Sequence, residues 1–251
     1  MKHSALAVVL IGLVGVSPAW TAPVTFFGED SLPGENVRVS PYTNAAAAQS
    51  NFLSFLTGVE VETLESFSPG ATGPLAVNFG STTATLSGNG SIQALSSGTS
   101  LGRYPISGDN YWETAAGFTI EFSAEQVAFG FFGVDIGDFN GQMSIVLEGI
   151  NGTQEIVVPH TIGNDGGDVL FFGVIDVANP FTKITFKNSS PDADWFAFDD
   201  FTIGSIDQIR EDRIDELQDA PEPSSVVLLS LGALGLGYYR VRNRSRSARK
   251  A

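Results

Sequence analysis

Residues 118–134 have the sequence FTIEFSAEQVAFGFFGV. Apolar and polar side chains alternate over residues 118–122, which predicts a strand with one face in a core and the other in water. Residues 127–134 are almost all Phe, Gly, Ala and Val, a composition typical of a strand that is buried on both faces. These two neighbouring strands indicate a protein that is built from packed β-sheets.

The same kinds of pattern recur on both sides of this stretch. Further strands are predicted at residues 75–79, 82–86, 91–95, 143–148, 154–158, 169–175, 181–186 and 195–203. Asn151-Gly152 separates two of them and is a strong signal for a β-hairpin. Many short strands with Gly, Ser and Asn between them indicate a single β-sandwich (jelly roll) over residues 23–205, so the fold class is mainly β.

Two helices are predicted beside the strands. Asn44 can cap one short N-terminal helix, which would end at Gly58. Its apolar face would carry Ala48, Phe52, Phe55 and Leu56. Residues 206–220 are highly charged, with apolar residues spaced among acidic ones and Arg210 and Arg213. We interpret this segment as a solvated helical spacer between the sandwich and the C-terminus.

Composition excludes several classes of function. The formal net charge is −15, and such an acidic chain lacks the basic surface that binding to nucleic acid requires. There is no Cys, which excludes disulfide scaffolds, thiol catalysis and Cys-ligated metals. Hydrophobic residues make up 43% and charged residues 16% of the chain, a balance that favours a folded body over disorder.

Residues 1–22 have the layout of a secretory signal peptide. Lys2 precedes an apolar run at 5–16, and small residues follow at Ser17, Ala19 and Ala22. The run is too short to span a bilayer comfortably. We therefore expect export and removal of this segment by signal peptidase.

The C-terminus has three parts in a fixed order. Pro221-Glu222-Pro223 comes first, and the apolar residues 224–239 follow as a predicted transmembrane helix. Basic residues then provide a cytoplasmic stop at Arg240, Arg242, Arg244 and Arg246. With a signal peptide at the other end, the sandwich would lie outside the membrane and the arginines inside.

Residues 221–251 resemble the PEP-CTERM sorting signal, which is found in Gram-negative bacteria with exopolysaccharide-rich envelopes. The resemblance implies that an exosortase processes the chain near Pro221-Glu222-Pro223. It also implies export across the inner membrane, a transient anchor through the C-terminal helix, and a final place at the cell surface or in the extracellular matrix. An ordinary C-terminal anchor is the alternative, although it leaves the Pro-Glu-Pro sequence unexplained.

Acidic clusters in the body predict calcium as a ligand. Asp135, Asp138 and Asn140 stand among glycines directly after a predicted strand, and calcium prefers oxygen ligands from turn-rich backbone. Asx and Gly residues also form ordinary turns, so this cluster fits either role.

The body is similar, more loosely, to exported PEP-CTERM proteins whose lectin-like jelly rolls resemble carbohydrate-binding modules. The similarity is carried by residues 26–30 (FFGED), the Ala-rich helix that follows, residues 62–67 (ETLESF) and residues 195–201 (WFAFDDF). It implies association with exopolysaccharide and calcium-dependent glycan binding. It also implies that Glu65 binds calcium together with Asp199 or Asp200.

Aromatic residues next to Gly/Asp-rich loops are candidates for stacking on sugar rings. Tyr111 and Trp112 are the predicted ligand-binding pair, whereas Trp195 is assigned to the core because it opens an apolar strand. The many Phe residues occupy strand positions and are expected in the core.

Catalytic motifs are not evident. Once the signal peptide is removed, His160 is the one His left, and the chain has neither a Gly-x-Ser-x-Gly elbow nor a phosphate-binding Gly loop. We therefore expect a protein that is not an enzyme, sorted to the envelope or matrix. A secreted polysaccharide-processing hydrolase is the rival hypothesis, and two facing carboxylates about 5–10 Å apart beside exposed aromatics would favour it. A purely structural adhesion protein is the third.

Overall fold

In residues 22–31, 34–115, 117–189 and 194–218, the part of the chain that the computed structural model describes, most of the backbone forms β-strands. The strands are β1 (Val24–Asp30), β2 (Val61–Glu62), β3 (Leu75–Phe79), β4 (Thr82–Gly88), β5 (Ser91–Ala94), β6 (Asn110–Thr114), β7 (Phe118–Gln126), β8 (Ala128–Val134), β9 (Met143–Gly149), β10 (Gly152–Val157), β11 (Val169–Ile175), β12 (Phe181–Asn188) and β13 (Phe196–Gly204). The α-helices are α1 (Thr43–Leu53) and α2 (Ile214–Gln218), and short 3-10 turns lie at Ile206–Gln208 and Glu211–Arg213.

The strands form two antiparallel sheets. The first sheet has the order β1-β11-β8-β13-β6-β5, with β2 also paired to β13. The second sheet has the order β10-β9-β12-β7-β4-β3. The prediction of a mainly β, sandwich-like body is therefore confirmed, and so is the hairpin at Asn151-Gly152, which joins β9 to β10.

An inner core of aromatic rings holds the two sheets together. Phe131 of the first sheet meets Phe186 of the second edge to face, with ring centroids 4.9 Å apart. Phe186 also stacks on Phe118 at 4.1 Å. Along β7, Phe118, Ile120 and Phe122 are buried while the residues between them are not, so this strand alternates as its sequence predicts. Burial of each such ring contributes about 1.5–3 kcal/mol, which makes this layer the main stabilising contact between the sheets.

An outer core lies between the first sheet and α1. Every residue of β8 and β11 is buried, which confirms the prediction for residues 127–134 and 169–175. Gly130 and Gly173 are paired in register, and the ring of Phe52 from α1 lies against both of them. The glycines in these strands thus leave room for a helical side chain to approach the sheet.

The start of α1 differs from its prediction. Asn44 was expected to cap the helix, but the helix begins at Thr43 and its cap comes from another element. The Asp30 carboxylate at the end of β1 accepts the N–H groups of Asn44 at 3.1 Å and Ala45 at 2.8 Å. The predicted apolar face is present, because Ala48, Phe52, Phe55 and Leu56 are all buried. The helix ends at Leu53, ahead of the predicted Gly58.

Residues 206–218 do not form the solvated spacer helix that their charge predicted. The Arg210 N–H donates to the Phe55 carbonyl at 2.9 Å, and the Thr57 N–H donates to the Gln208 carbonyl at 2.9 Å. The apolar residues Ile209 and Leu217 are buried in the outer core. The segment is short turns and one helical turn docked beside α1, because its spaced apolar residues find partners there.

The two ends of the chain lie outside the described residues. They include the predicted signal peptide, the Pro-Glu-Pro sequence, the predicted apolar helix at 224–239 and the arginines after it. Among the residues that are described, no helix is long and apolar enough to cross a membrane.

Candidate functional site

One end of the sandwich gathers several connections between the two sheets. The β8–β9 connection (135–142) lies beside the described residues of the β12–β13 connection (189, 194 and 195), because β8 pairs with β13 and β9 with β12. The β10–β11 connection (158–168) joins them, since β10 pairs with β9 and β11 with β8. We call this region the loop end.

Hydrogen bonds tie these connections to one another. The Gly163 N–H donates to the Gly137 carbonyl at 2.7 Å, so the β10–β11 connection holds the β8–β9 connection. The Ser189 N–H donates to the Gln142 carbonyl at 3.0 Å, and the Gln142 N–H donates to Ser189 Oγ at 2.9 Å. The side chains of the loop end are therefore placed by backbone contacts on both sides.

Asp135 is the first predicted calcium ligand at the loop end. It is buried, accepts the Gly167 N–H at 2.7 Å and lies 3.5 Å from the guanidinium of Arg103. Burial raises the pKa of Asp135 to about 7, and the Gly167 hydrogen bond opposes that shift. Its backbone has a φ of 67°, a left-handed conformation that Asp tolerates better than most residues. Asp135 thus organises the loop through Gly167.

Asp194 and Asp138 form a carboxyl pair at the same end. Asp194 is only 2% exposed, and within the described chain neither of its oxygens accepts a hydrogen bond from an N–H or O–H donor. Burial raises the pKa of Asp194 to about 8, and the charge of the nearby Asp138 carboxyl adds to the shift. Two carboxyls in such contact cannot both ionise without a positive partner.

Asn140 does not join Asp135 and Asp138 as a third ligand. It is exposed, its backbone has a φ of 61°, and its N–H closes a turn onto the Gly137 carbonyl at 3.1 Å. Within the described ranges, no three His, Asp or Glu side chains are grouped so that they could hold a metal ion. Asp135, Asp138 and Asn140 therefore share a loop in which the Asn140 backbone closes a turn.

Glu65, Asp199 and Asp200 are brought together around residues 106–110. Asp199 accepts the N–H groups of Ile106 at 2.8 Å and Ser107 at 3.1 Å, and Asp200 accepts the Ser107 hydroxyl. Glu65 accepts two backbone N–H groups from positions 109 and 110, at 3.0 and 2.6 Å. Burial raises the pKa of Asp199 and of Asp200. In this arrangement the carboxylates serve as acceptors for backbone donors and fix the segment that leads into β6.

The predicted sugar-stacking pair lies inside the protein. Tyr111 and Trp112 are on β6 and are 1% and 0% exposed, so neither ring presents a face to solvent. The sequence assigned them to a loop because Gly and Asp precede them, whereas the segment pairs with β5 and β13 as a strand. The stacking surface expected from this pair is not formed in the structure.

Two other aromatic residues are exposed at the loop end. Phe139 follows Asp138 and is 58% exposed, and Trp195 follows Asp194 and is 40% exposed. Trp195 was expected in the core, but β13 starts one residue later, at Phe196. Both rings could have been found from a shared signal, an aromatic residue directly after an Asp where an apolar run meets a turn.

His160 serves the structure of the loop end. Its Nε2 accepts the Met143 N–H at 2.9 Å and its Nδ1 lies 3.1 Å from the Thr161 carbonyl, which assigns the proton to Nδ1. Burial lowers the pKa of His160, so the ring is neutral and both nitrogens are engaged.

Comparison with known proteins identifies the C-terminal segment. A family model described as "PEP-CTERM protein-sorting motif" matches residues 219–243, which include Pro221-Glu222-Pro223, Arg240 and Arg242. The chain therefore carries a PEP-CTERM sorting motif, which implies export, a C-terminal membrane anchor and processing by an exosortase. No curated protein shows significant similarity to the chain.

Several solved structures are similar to the body at low identity. The C-terminal family 22 carbohydrate-binding module of a Clostridium thermocellum protein has 13% identity and a TM-score of 0.36, over 61% of this chain and 95% of its own. A family 29 carbohydrate-binding module has 11% identity and a TM-score of 0.26, over 74% and 92%. A Stig cyclase from Fischerella sp. TAU has 12% identity and a TM-score of 0.29, over 68% and 98%.

Proposed function

We propose that this chain is an exported, non-enzymatic glycan-binding protein that an exosortase releases from its membrane anchor. The observation that carries the proposal is the pair of exposed rings, Phe139 and Trp195, each directly after an acidic residue at the loop end. Rigid aromatic faces stack on the apolar faces of sugar rings, and neighbouring carboxylates accept hydrogen bonds from sugar hydroxyls. Hydrogen bonds between the connections order the backbone of the loop end before a ligand arrives, which lowers the entropic cost of binding.

The glycan that we propose is the exopolysaccharide of the host, a Gram-negative bacterium. The sorting motif directs the chain to the outside of the cell, where that polymer is the abundant carbohydrate. The final location would be the cell surface or the extracellular matrix. An acidic protein also avoids nonspecific capture by anionic membranes, which suits release into the matrix.

The rival hypothesis of a hydrolase finds less support at this site. Glycoside hydrolysis needs two carboxyl groups that are separated by about 5–10 Å, so that the sugar or a water fits between them. The Asp138 and Asp194 carboxyls lie against each other instead. The pair therefore lacks the spacing of a glycosidase, even though exposed aromatics stand beside it.

Binding to purified host exopolysaccharide and to a glycan array tests the proposal. The Phe139→Ala, Trp195→Ala double variant should bind at least about tenfold more weakly, which corresponds to about 1.4 kcal/mol. Ile150→Ala is the matched control, because Ile150 is an exposed apolar residue on the β9–β10 hairpin at the opposite end. If the wild type binds no glycan, the chain is a structural adhesion protein. If the double variant binds as well as the wild type, the loop end is not the site.

A further inference from the structure

Two carboxyls, those of Asp138 and Asp194, lie together at the loop end, and glycan binding does not explain how their charge is balanced. The basic side chain in this region is Arg103, and its guanidinium is engaged with Glu113 at 2.8 Å and Asp135 at 3.5 Å. Within the described residues, Asp194 has neither a salt bridge nor a hydrogen-bond donor on its two oxygens. A buried carboxylate in this state costs several kcal/mol unless a proton or a cation joins it.

The free oxygens of the pair point to a cation. Asp138 Oδ1 accepts one hydrogen bond, from the Phe139 N–H at 3.0 Å. Both oxygens of Asp194 are open, and the two side chains are in contact. Hard divalent cations prefer carboxylate oxygens that are held close together and lack other donors.

The other acidic cluster provides the contrast. Glu65 and Asp199 each accept two backbone N–H groups, and Asp200 accepts the Ser107 hydroxyl. Each of these carboxylates therefore has donors that the fold supplies. Asp194 is as deeply buried as Asp199 but receives none.

We propose that Asp138 and Asp194 bind a calcium ion at the loop end, between the residues that bear the exposed rings Phe139 and Trp195. Two carboxylates fill fewer than the six to eight positions that calcium takes, so water and other oxygens complete the shell. This incomplete protein shell predicts weak binding, with a Kd on the order of 0.1–1 mM, the range of extracellular calcium modules. An exported protein meets calcium at such concentrations.

Terbium luminescence tests the site without any glycan, so the result is independent of the proposed function. Tb³⁺ replaces Ca²⁺ at oxygen sites and emits when a nearby Trp transfers energy to it. Of the three Trp residues, Trp195 directly follows Asp194, Trp112 is buried in the inner core, and Trp20 belongs to the predicted signal peptide. On the purified full-length chain, we expect saturable Tb³⁺ emission that Ca²⁺ displaces.

Variants of the pair decide the outcome. Asp194→Asn and Asp138→Asn should each weaken Tb³⁺ binding at least tenfold, whereas Asp165→Asn, an exposed carboxylate of the β10–β11 connection, should leave it unchanged. Trp195→Phe should lose the emission but keep the rise in melting temperature that Ca²⁺ causes beyond matched NaCl.

Two results would overturn the proposal. One is equal Tb³⁺ binding by the wild type and by both pair variants, with folding confirmed by their melting curves. The other is a melting shift that Ca²⁺ and NaCl cause equally, which would mean that the pair shares a proton and binds no ion.

Discussion

At the scale of single residues, buried carboxylates have two roles in this protein. Asp30, Asp135 and Asp199 accept backbone N–H groups and so fix a helix end, a connection and the entry to a strand. Asp194 accepts none and lies against a second carboxyl. The sequence shows the same residue type in both cases, because the difference depends on which donors the fold brings near.

The Asp30 cap is a direct test of the first role. Asp30→Ala removes the acceptor of two N–H groups at the start of α1, and loss of a cap costs about 0.5–2 kcal/mol. We expect a free energy of unfolding that is lower by about 1–2 kcal/mol in denaturant titrations. Asp30→Asn keeps one acceptor oxygen and should lose less. Equal stability of the alanine variant and the wild type would show that the carboxylate does not cap the helix.

His160 gives the loop end a pH dependence of known sign. Burial holds the pKa of His160 below its usual 6.5, so the unfolded chain binds this proton more readily than the folded one. The stability that the neutral ring provides is present above pH 6.5 and is lost as the pH falls below that value. Protonation places a hydrogen on Nε2, so this nitrogen can no longer accept the Met143 N–H and the hydrogen bond is lost.

The comparison with His160→Gln isolates this effect, because all other titrating groups are common to both proteins. Gln offers a carbonyl oxygen to the Met143 N–H and does not titrate. We expect the wild type to lose stability relative to His160→Gln as the pH is lowered from 7.5 to 5 in urea titrations. Parallel pH profiles for the two proteins would exclude the role of the ring.

At the scale of elements, glycine and phenylalanine together decide where α1 docks. A Cβ on Gly173 would come within 2.8 Å of the Phe52 ring, and one on Gly130 within 2.9 Å. The helix α1 therefore packs on β8 and β11 where the two glycines lie side by side. The inner faces of the same strands carry Phe131 and Phe172. Composition alone predicted that both faces are buried, but not that a helix covers the outer one.

Gly173→Ala tests this fit between helix and sheet. Overpacking costs about 1–3 kcal/mol, and we expect a loss of unfolding free energy in that range. The same substitution in a Phe52→Ala background should cost clearly less, because the ring that it meets is gone. A double-mutant cycle measures the coupling between the two positions. A cycle without coupling would mean that the strain arises elsewhere.

Most strands could be predicted from their sequence, and the exceptions have physical reasons. The strands at 75–79 and 169–175 have the predicted bounds. Buried side chains alternate with exposed ones in the first strand, and every residue of the second is buried. β6 was missed because Asn110 and the glycines before it indicate a turn, although its partners β5 and β13 make it a strand. The local sequence pattern of a segment does not show which other strands it will pair with.

The candidate site was less predictable than the fold for the same reason. The sequence places Asp138 and Asp194 in separate acidic clusters and does not predict that they meet. It assigned Trp195 to the core because the apolar run begins there. The predicted start of β13 was one residue too early, and in a strand one residue changes the face on which a side chain lies. Contact between Asp138 and Asp194 depends on the pairing of β8 with β13, which are far apart in sequence.

At the scale of the whole molecule, the folded body extends almost to the sorting motif. Leu217 is buried against the outer core, and Pro221 follows four residues later. Four residues span at most about 14 Å, which limits the length of chain between Leu217 and Pro221. A processing enzyme at the membrane must therefore work close to the docked segment at 206–218. Processing at the motif would leave the body, with this segment, intact.

The final prediction concerns the motif itself in the native host. Prolines on both sides of Glu222 lack an N–H and disfavour continuation of a helix. Glu222 is the one charged residue of the three, so it is the group that we expect an enzyme to recognise. We expect the Pro221→Ala, Glu222→Ala, Pro223→Ala variant to be exported, yet to stay in the membrane fraction at full C-terminal length by intact-mass analysis. An ordinary anchor needs the apolar run and the arginines but not these three residues. Ser224→Ala, directly after the motif, is the matched control and should be processed like the wild type. Release of the triple variant with a shortened C-terminus would show that the enzyme reads the apolar segment and the arginines alone.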